Sequence, residues 1–120
     1  MKVFILEDDP LRIKWFKRKF IGTEIEYTDN VKDAKKILEN ENFDTLFLDH
    51  DLGGQVFVSC EEENTGSGLA NWIVNTNRKY ETIVIHSMNP IGSHNMKCIL
   101  TSSANRVISV PFCNLESVLK

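Results

Sequence analysis

Long apolar runs are missing from this 120-residue chain. The amino-terminal run, Val3 to Leu6, is cut short by Glu7, Asp8 and Asp9, so it is too brief for a signal peptide or a membrane span. Cysteine is scarce as well. Cys60, Cys98 and Cys113 are odd in number and unrelated in spacing, which argues against a disulfide framework or a cysteine-based zinc site and fits a reducing cytosol. Each reads best as a small residue in or near the core. A surplus of positive charge is also lacking. With 14 Lys and Arg against 17 Asp and Glu, the net charge is −3, which gives no electrostatic footprint for duplex DNA or an anionic membrane surface. No repeat, linker or low-complexity segment divides the chain, so residues 1–120 are expected to form one domain, long enough to bury a core without staples. A small anionic ligand remains open to it, because that needs only a local set of donors.

What is present is alternation. Residues 2–7 (KVFILE) read as a buried strand, and from Pro10 to about Phe20 the residues Leu11, Ile13, Trp15, Phe16 and Phe20 sit among basic ones, with Pro10 suited to a first helical turn. Residues 24–28 alternate as a half-buried strand does. Asp29 or Asn30 can cap a helix carrying Val31, Ala34, Ile37 and Leu38 on one face. Thr45 to Leu48 is the next strand, and residues 53–64 read as a loop. A helix then opens at Thr65-Gly66-Ser67. A strand follows at 82–85, a weaker helix at 92–104, a strand at 106–110 and a stub of a last helix. Apolar strands separated by amphipathic helices predict an α/β fold: a doubly wound parallel sheet of five strands, with the last helix truncated.

In such folds ligands bind beyond the carboxyl ends of the strands. Those ends read Glu7-Asp8-Asp9, Asp49-His50-Asp51, His86-Ser87-Met88-Asn89 and Val110-Pro111-Phe112. Over essentially the whole chain this pattern resembles the receiver domain of two-component response regulators, which implies a flavodoxin-like sheet with its strands in the order 2-1-3-4-5. Glu7 and Asp8 match the receiver's acidic metal-binding pair and Asp49 its phosphoacceptor. Ser87 matches its phosphate-contacting Ser/Thr, and Pro111-Phe112 the pair that follows its lysine. The lysine is absent, and Val110 stands there, so phosphorelay of the ordinary kind is not expected. The segments "LDHDLGG", "NTG" and "HSMNP" together resemble the cyclic-phosphate-processing receivers. That resemblance implies phosphoesterase chemistry on a nucleotide, or nucleotide-derived small molecule, carrying a cyclic phosphate.

Residue by residue, His50 and His86 end neighbouring strands about 4.8 Å apart and are expected to flank one phosphate, one as general base and one as general acid. The carboxylates Asp49 and Asp51 beside His50 would set its tautomer and raise its pKa. Alternation stands against His86: if Ser87 faces the site, residue 86 points away unless the strand end twists. Glu7, Asp8 and Asp49 could hold Mg²⁺ weakly through hard oxygen ligands. Ser87 and Asn89 suit phosphate oxygens, and Gly53-Gly54 would let backbone amides approach an anion, though a turn explains those glycines equally well. Thr65 reads as a helix cap first and a ligand second, and His94 as solvent-exposed. The expectation is therefore a cytoplasmic receiver-like phosphoesterase with a two-histidine site. The alternative is a catalytically inactive pseudo-receiver that binds a protein partner.

Overall fold

The computed structural model describes residues 1–54 and 59–119, so part of the loop expected over 53–64 lies outside the described residues. In chain order the elements are β1 (Lys2–Leu6), α1 (Pro10–Lys19), β2 (Glu24–Thr28), α2 (Val31–Asn40), β3 (Thr45–Leu48), α3 (Gly66–Asn75), β4 (Tyr80–Ile85), α4 (Pro90–Leu100) and β5 (Ala104–Ser109). A 3₁₀ turn (Phe112–Asn114) and a one-turn α5 (Leu115–Val118) follow. The strands form one sheet, all neighbours parallel, in the order β2-β1-β3-β4-β5.

Local chemistry sets the helix starts. Asp9 accepts from the Leu11 amide at 2.9 Å with Pro10 in the first turn of α1, and Lys17, Arg18 and Lys19 sit in its last turn, where cations complement the carbonyl end. Asn30 caps α2 through the Asp33 amide, Thr65 caps α3 through Gly68, and Asn89 caps α4 through Gly92. This last cap corrects one boundary: α4 begins at Pro90, two residues before the expected 92, because Asn89-Pro90 is a complete start signal. It also ends at Leu100 rather than 104, since the Ser103 amide bonds back to the Leu100 carbonyl and the chain turns. β4 and β5 likewise start earlier than hydrophobicity suggests, because Tyr80 pairs with Ala104 and Thr82 with Arg106. Ladder bonds carry an edge strand through polar residues that periodicity discounts.

The core divides by face. Phe4, Leu6, Leu46, Leu48, Ile83 and Ile85 point to one side and meet the buried residues of α2, α3 and α4. Val3, Ile5, Phe47 and Val84 point to the other side and meet Phe16 of α1 and Leu115 of α5. Each large apolar side chain so buried contributes about 1.5–3 kcal/mol relative to exposure. This two-sided division decides where the polar residues at the strand ends are sent.

Candidate functional site

The register brings Leu6, Leu48 and Ile85 into one row across β1, β3 and β4, all facing the α2–α3–α4 side. The pairing continues one residue past each strand, with the Asp49 amide bonding Leu6 O at 3.0 Å and the His86 amide bonding Leu48 O at 3.0 Å. Side chains alternate faces along a strand. Glu7, Asp49 and His86 therefore form the next row and turn to the α1 side. Their ligand-capable atoms lie within 4.8 Å of one another, and all three residues are buried.

Within this row the bonds are specific. His86 Nε2 and Glu7 Oε1 are 2.9 Å apart. Glu7 Oε2 accepts from the amides of Asp8 and Asp9, each at 3.1 Å. Asp49 Oδ1 accepts from the His50 amide at 2.8 Å. Burial pushes the Glu7 carboxyl up to about 7 and the Asp49 carboxyl up to about 6, and it pushes the His86 imidazole down to about 4. His86 is thus neutral at pH 7. Its ring is flanked by Phe16 and Phe112, with centroids at 5.3 and 6.1 Å, and its buried Nδ1 has no hydrogen-bond partner among the described residues.

Above the row lies a cleft of about 370 Å³ lined by Glu7, Asp8, Asp9, Pro10, Arg12, Asp49, Asp51, Gly54, Ser87 and Met88. Asp8 is held at its rim, its Oδ2 accepting from the Gly54 amide at 2.7 Å. Gly53 and Gly54 adopt φ of 72° and 75°, a left-handed turn that favours glycine. The turn therefore explains these glycines, and the Gly54 amide is spent on Asp8 rather than offered to an anion. Ser87 Oγ accepts from the Asn89 amide at 3.0 Å, which leaves its hydroxyl hydrogen for the cleft.

His50 goes elsewhere. One residue past Asp49, it turns to the opposite face and is fully buried under α3 and α4. Its Nδ1 is 2.8 Å from Asp51 Oδ1 and its Nε2 is 3.0 Å from Ser67 Oγ, which also accepts from Asn95 Nδ2 at 2.8 Å. Asn89 Nδ2 donates to Asp51 Oδ1 at 3.1 Å. These contacts hold both ring nitrogens, Nδ1 against the Asp51 carboxyl and Nε2 against the Ser67 hydroxyl. A Cβ on Gly92 would collide with the His50 ring, so α4 lies directly on it.

The expected pairing of His50 and His86 across one phosphate is therefore corrected: the sheet separates them, because residues 49 and 50 occupy opposite faces. Asn89 and Thr65 are occupied as helix caps, Thr65 also donating to Glu62 O at 2.7 Å. His94 is exposed, as expected. The sequence reading missed Arg12. Its guanidinium reaches the cleft from the first turns of α1, with Nη1 at 3.7 Å from Glu7 Oε1 and 4.0 Å from Asp49 Oδ2. Spacing carried one signal for it, an arginine one turn beyond the capping Asp9.

Residues 1–102 match the family described as the cyclic-phosphate processing Receiver domain. The chain belongs to that family. The solved structures that this cyclic-phosphate processing receiver resembles are receiver domains. One, a putative Luxo repressor protein from Vibrio parahaemolyticus, is 14% identical, with 98% of this chain and 85% of that one covered at a TM-score of 0.68. A CheY-like receiver from Methylobacillus flagellatus is 17% identical, with 99% and 95% covered at a TM-score of 0.65. TrrA from Thermotoga maritima, solved in complex with Mg²⁺ and BeF, is 18% identical, with 98% and 92% covered at 0.67. Identities this low speak for the fold alone. No curated protein sequence matches the chain. Among the described residues of this receiver, no helix is long and apolar enough to cross a membrane.

Proposed function

We propose that this receiver opens a cyclic phosphodiester on a nucleotide or nucleotide-derived small molecule, with carboxylates rather than paired imidazoles handling the proton. The observation that carries the reading is the buried row of Glu7, Asp49 and His86 beneath an open cleft. A carboxylate raised to about 6 stays mostly ionised at neutral pH yet is basic enough to take a proton from water. In the proposed step the water oxygen bonds to phosphorus and Asp49 accepts its proton. The bond from phosphorus to one ribose oxygen breaks, and that oxygen takes a proton from solvent in the open cleft. The product is a phosphomonoester. Glu7, raised to about 7 and bonded to neutral His86, retains a proton over much of the neutral range and so keeps Asp49 the charged member of the pair. The Ser87 hydroxyl donates to a phosphate oxygen.

A nucleotide body has room beside the cleft. A groove of about 700 Å³ between α1 and the end of β2 shares Glu7, Asp8 and Pro10 with it and adds Leu11, Ile13 and a half-exposed Tyr27. Lys17 lies over the Tyr27 ring at 4.8 Å. Such a surface suits a base and ribose better than a long polynucleotide. The acidic set fits Mg²⁺ only as a weak site, through Asp8 and Asp49, because Glu7 is committed to His86 and two amides. When bound, the ion would supply positive charge toward the phosphate oxygens.

The test is direct assay of nucleoside 2′,3′-cyclic monophosphates by ³¹P NMR, with and without Mg²⁺. Conversion to a phosphomonoester that Asp49→Asn abolishes is expected. Failure of every such substrate would remove the enzymatic reading and leave the protein-binding one.

A further inference from the structure

We infer that Arg12 is the phosphate-holding cation of the cleft and that it competes with a divalent ion for the Asp49 carboxylate. The phosphate half rests on the function proposed above, and the metal half stands without it. Arg12 is the only cationic side chain among the described residues that line the cleft. None arrives from the end of β5, where Val110 packs into the aromatic cluster on the α1 side.

The geometry is that of a guanidinium poised among acids rather than clamped to one. Its distances to Glu7 and Asp49 are 3.7 and 4.0 Å, and Nε is 3.8 Å from Asp9 Oδ2. A charge-assisted N–H···O bond closes at about 2.7–2.9 Å, so none of these contacts consumes a donor. The guanidinium plane is held instead by Phe112, whose ring centroid lies 4.8 Å from Cζ. A planar fork of unspent donors, fixed by an aromatic face and bordering the Ser87 hydroxyl's cleft, is suited to a phosphate's oxygens. The same position conflicts with a metal. A divalent ion held by Asp49 would meet, 4.0 Å from that carboxylate, a charge that cannot be lost by deprotonation, and its binding would be weakened while Arg12 stays in place.

The experiment uses Arg12→Met, which keeps an apolar stem over Phe112, with Arg12→Lys to restore charge and Arg18→Met as an exposed control on the same helix. Amide shifts in ¹H–¹⁵N spectra report folding and the binding of inorganic phosphate and of adenosine 2′,3′-cyclic monophosphate. Mn²⁺ line broadening at Asp8 and Asp49 reports the metal. Loss of one such charged contact should weaken both anions about 10-fold in Arg12→Met, with Arg12→Lys recovering part of it. Mn²⁺ affinity should rise about 10-fold in the same variant, since a like charge close by has gone. Arg18→Met should change neither. Unchanged anion binding in folded Arg12→Met, or unchanged Mn²⁺ affinity, overturns the inference. A wild type that binds phosphate through Arg12 but opens no cyclic phosphate overturns the proposed function and leaves Arg12's role standing.

Discussion

His50 and His86 end adjacent strands and are both fully buried, yet they live in opposite chemistries. On the α3–α4 side, both ring nitrogens of His50 are partnered, by Asp51 and Ser67, in a network that also holds Asn89 and Asn95. On the α1 side, His86 has one partnered nitrogen, and that partner is a carboxylate at the floor of an open cleft. The first arrangement is satisfied and closed, and it ties the N-terminal ends of two helices to a strand end. The second is under-satisfied and crowded with acids. Chemical potential at a strand end thus depends on which face the residue row takes, and a single step from Asp49 to His50 changes it.

The sharpest way to break this contrast is at the row itself. Asp49→Asn should lower cyclic-phosphate opening by about 10²–10⁴-fold, the usual weight of one positioned proton-transfer group, with the fold intact. His50→Ala should do the reverse. It leaves Ser67 and Asp51 without their shared partner and opens a cavity, costing about 2–4 kcal/mol of stability in a urea titration, while folded molecules keep kcat within a few-fold. A folded His50→Ala that lost kcat as Asp49→Asn does would return His50 to the chemistry.

A pH comparison refines the second half. The Glu7 carboxyl rises from 4.5 in the unfolded chain to about 7 in the fold because it is buried. Its contribution to stability is therefore fully present below pH 4.5 and is lost as pH rises through about 7. His86, lowered from 6.5 to about 4, works the other way, losing its contribution as pH falls through 4. The difference in Tm between wild type and Glu7→Gln isolates the first effect. Wild type should lose roughly 5–10 °C of Tm relative to Glu7→Gln between pH 4.5 and 7.5, and a flat difference would show Glu7 titrating normally. The smallest effect is expected at the third histidine. His94 is exposed, and His94→Ala should stay within about 0.5 kcal/mol and leave activity unchanged.

The alternation of strands and helices and the starts of α1, α2 and α3 were legible because they rest on local signals: β-branched runs, Pro10, Asn30, Thr65 and the apolar face of α2. The ends of α4 and the start of β5 were less so, since pairing with a neighbouring strand, not hydrophobicity, carries Ala104 into the ladder opposite Tyr80. At the site, the acids could be read because three strand ends converge in this fold. The histidines could not be assigned to faces, because that needs the register of Leu6, Leu48 and Ile85, which depends on contacts between distant segments. Arg12 was overlooked for a different reason, since a basic residue on a helix ordinarily marks a solvated face. Ser67 and Asn95 gave no signal at all, being small polar residues whose meaning arises only when α3 and α4 close over His50.

The aromatic wall around His86 has a consequence for time rather than for energy. Phe16 and Phe112 pack against its ring, its Nδ1 is buried, and among the described residues Glu7 is its one hydrogen-bonded outlet. A proton entering or leaving this imidazole must pass through the carboxylate, or wait for the two phenyl rings to part. The ring is also barred from turning over to exchange its nitrogens, because that would break the bond to Glu7 inside a packed cavity. The cluster is therefore expected to exchange protons as an insulated cell with a single terminal, the Glu7 carboxyl.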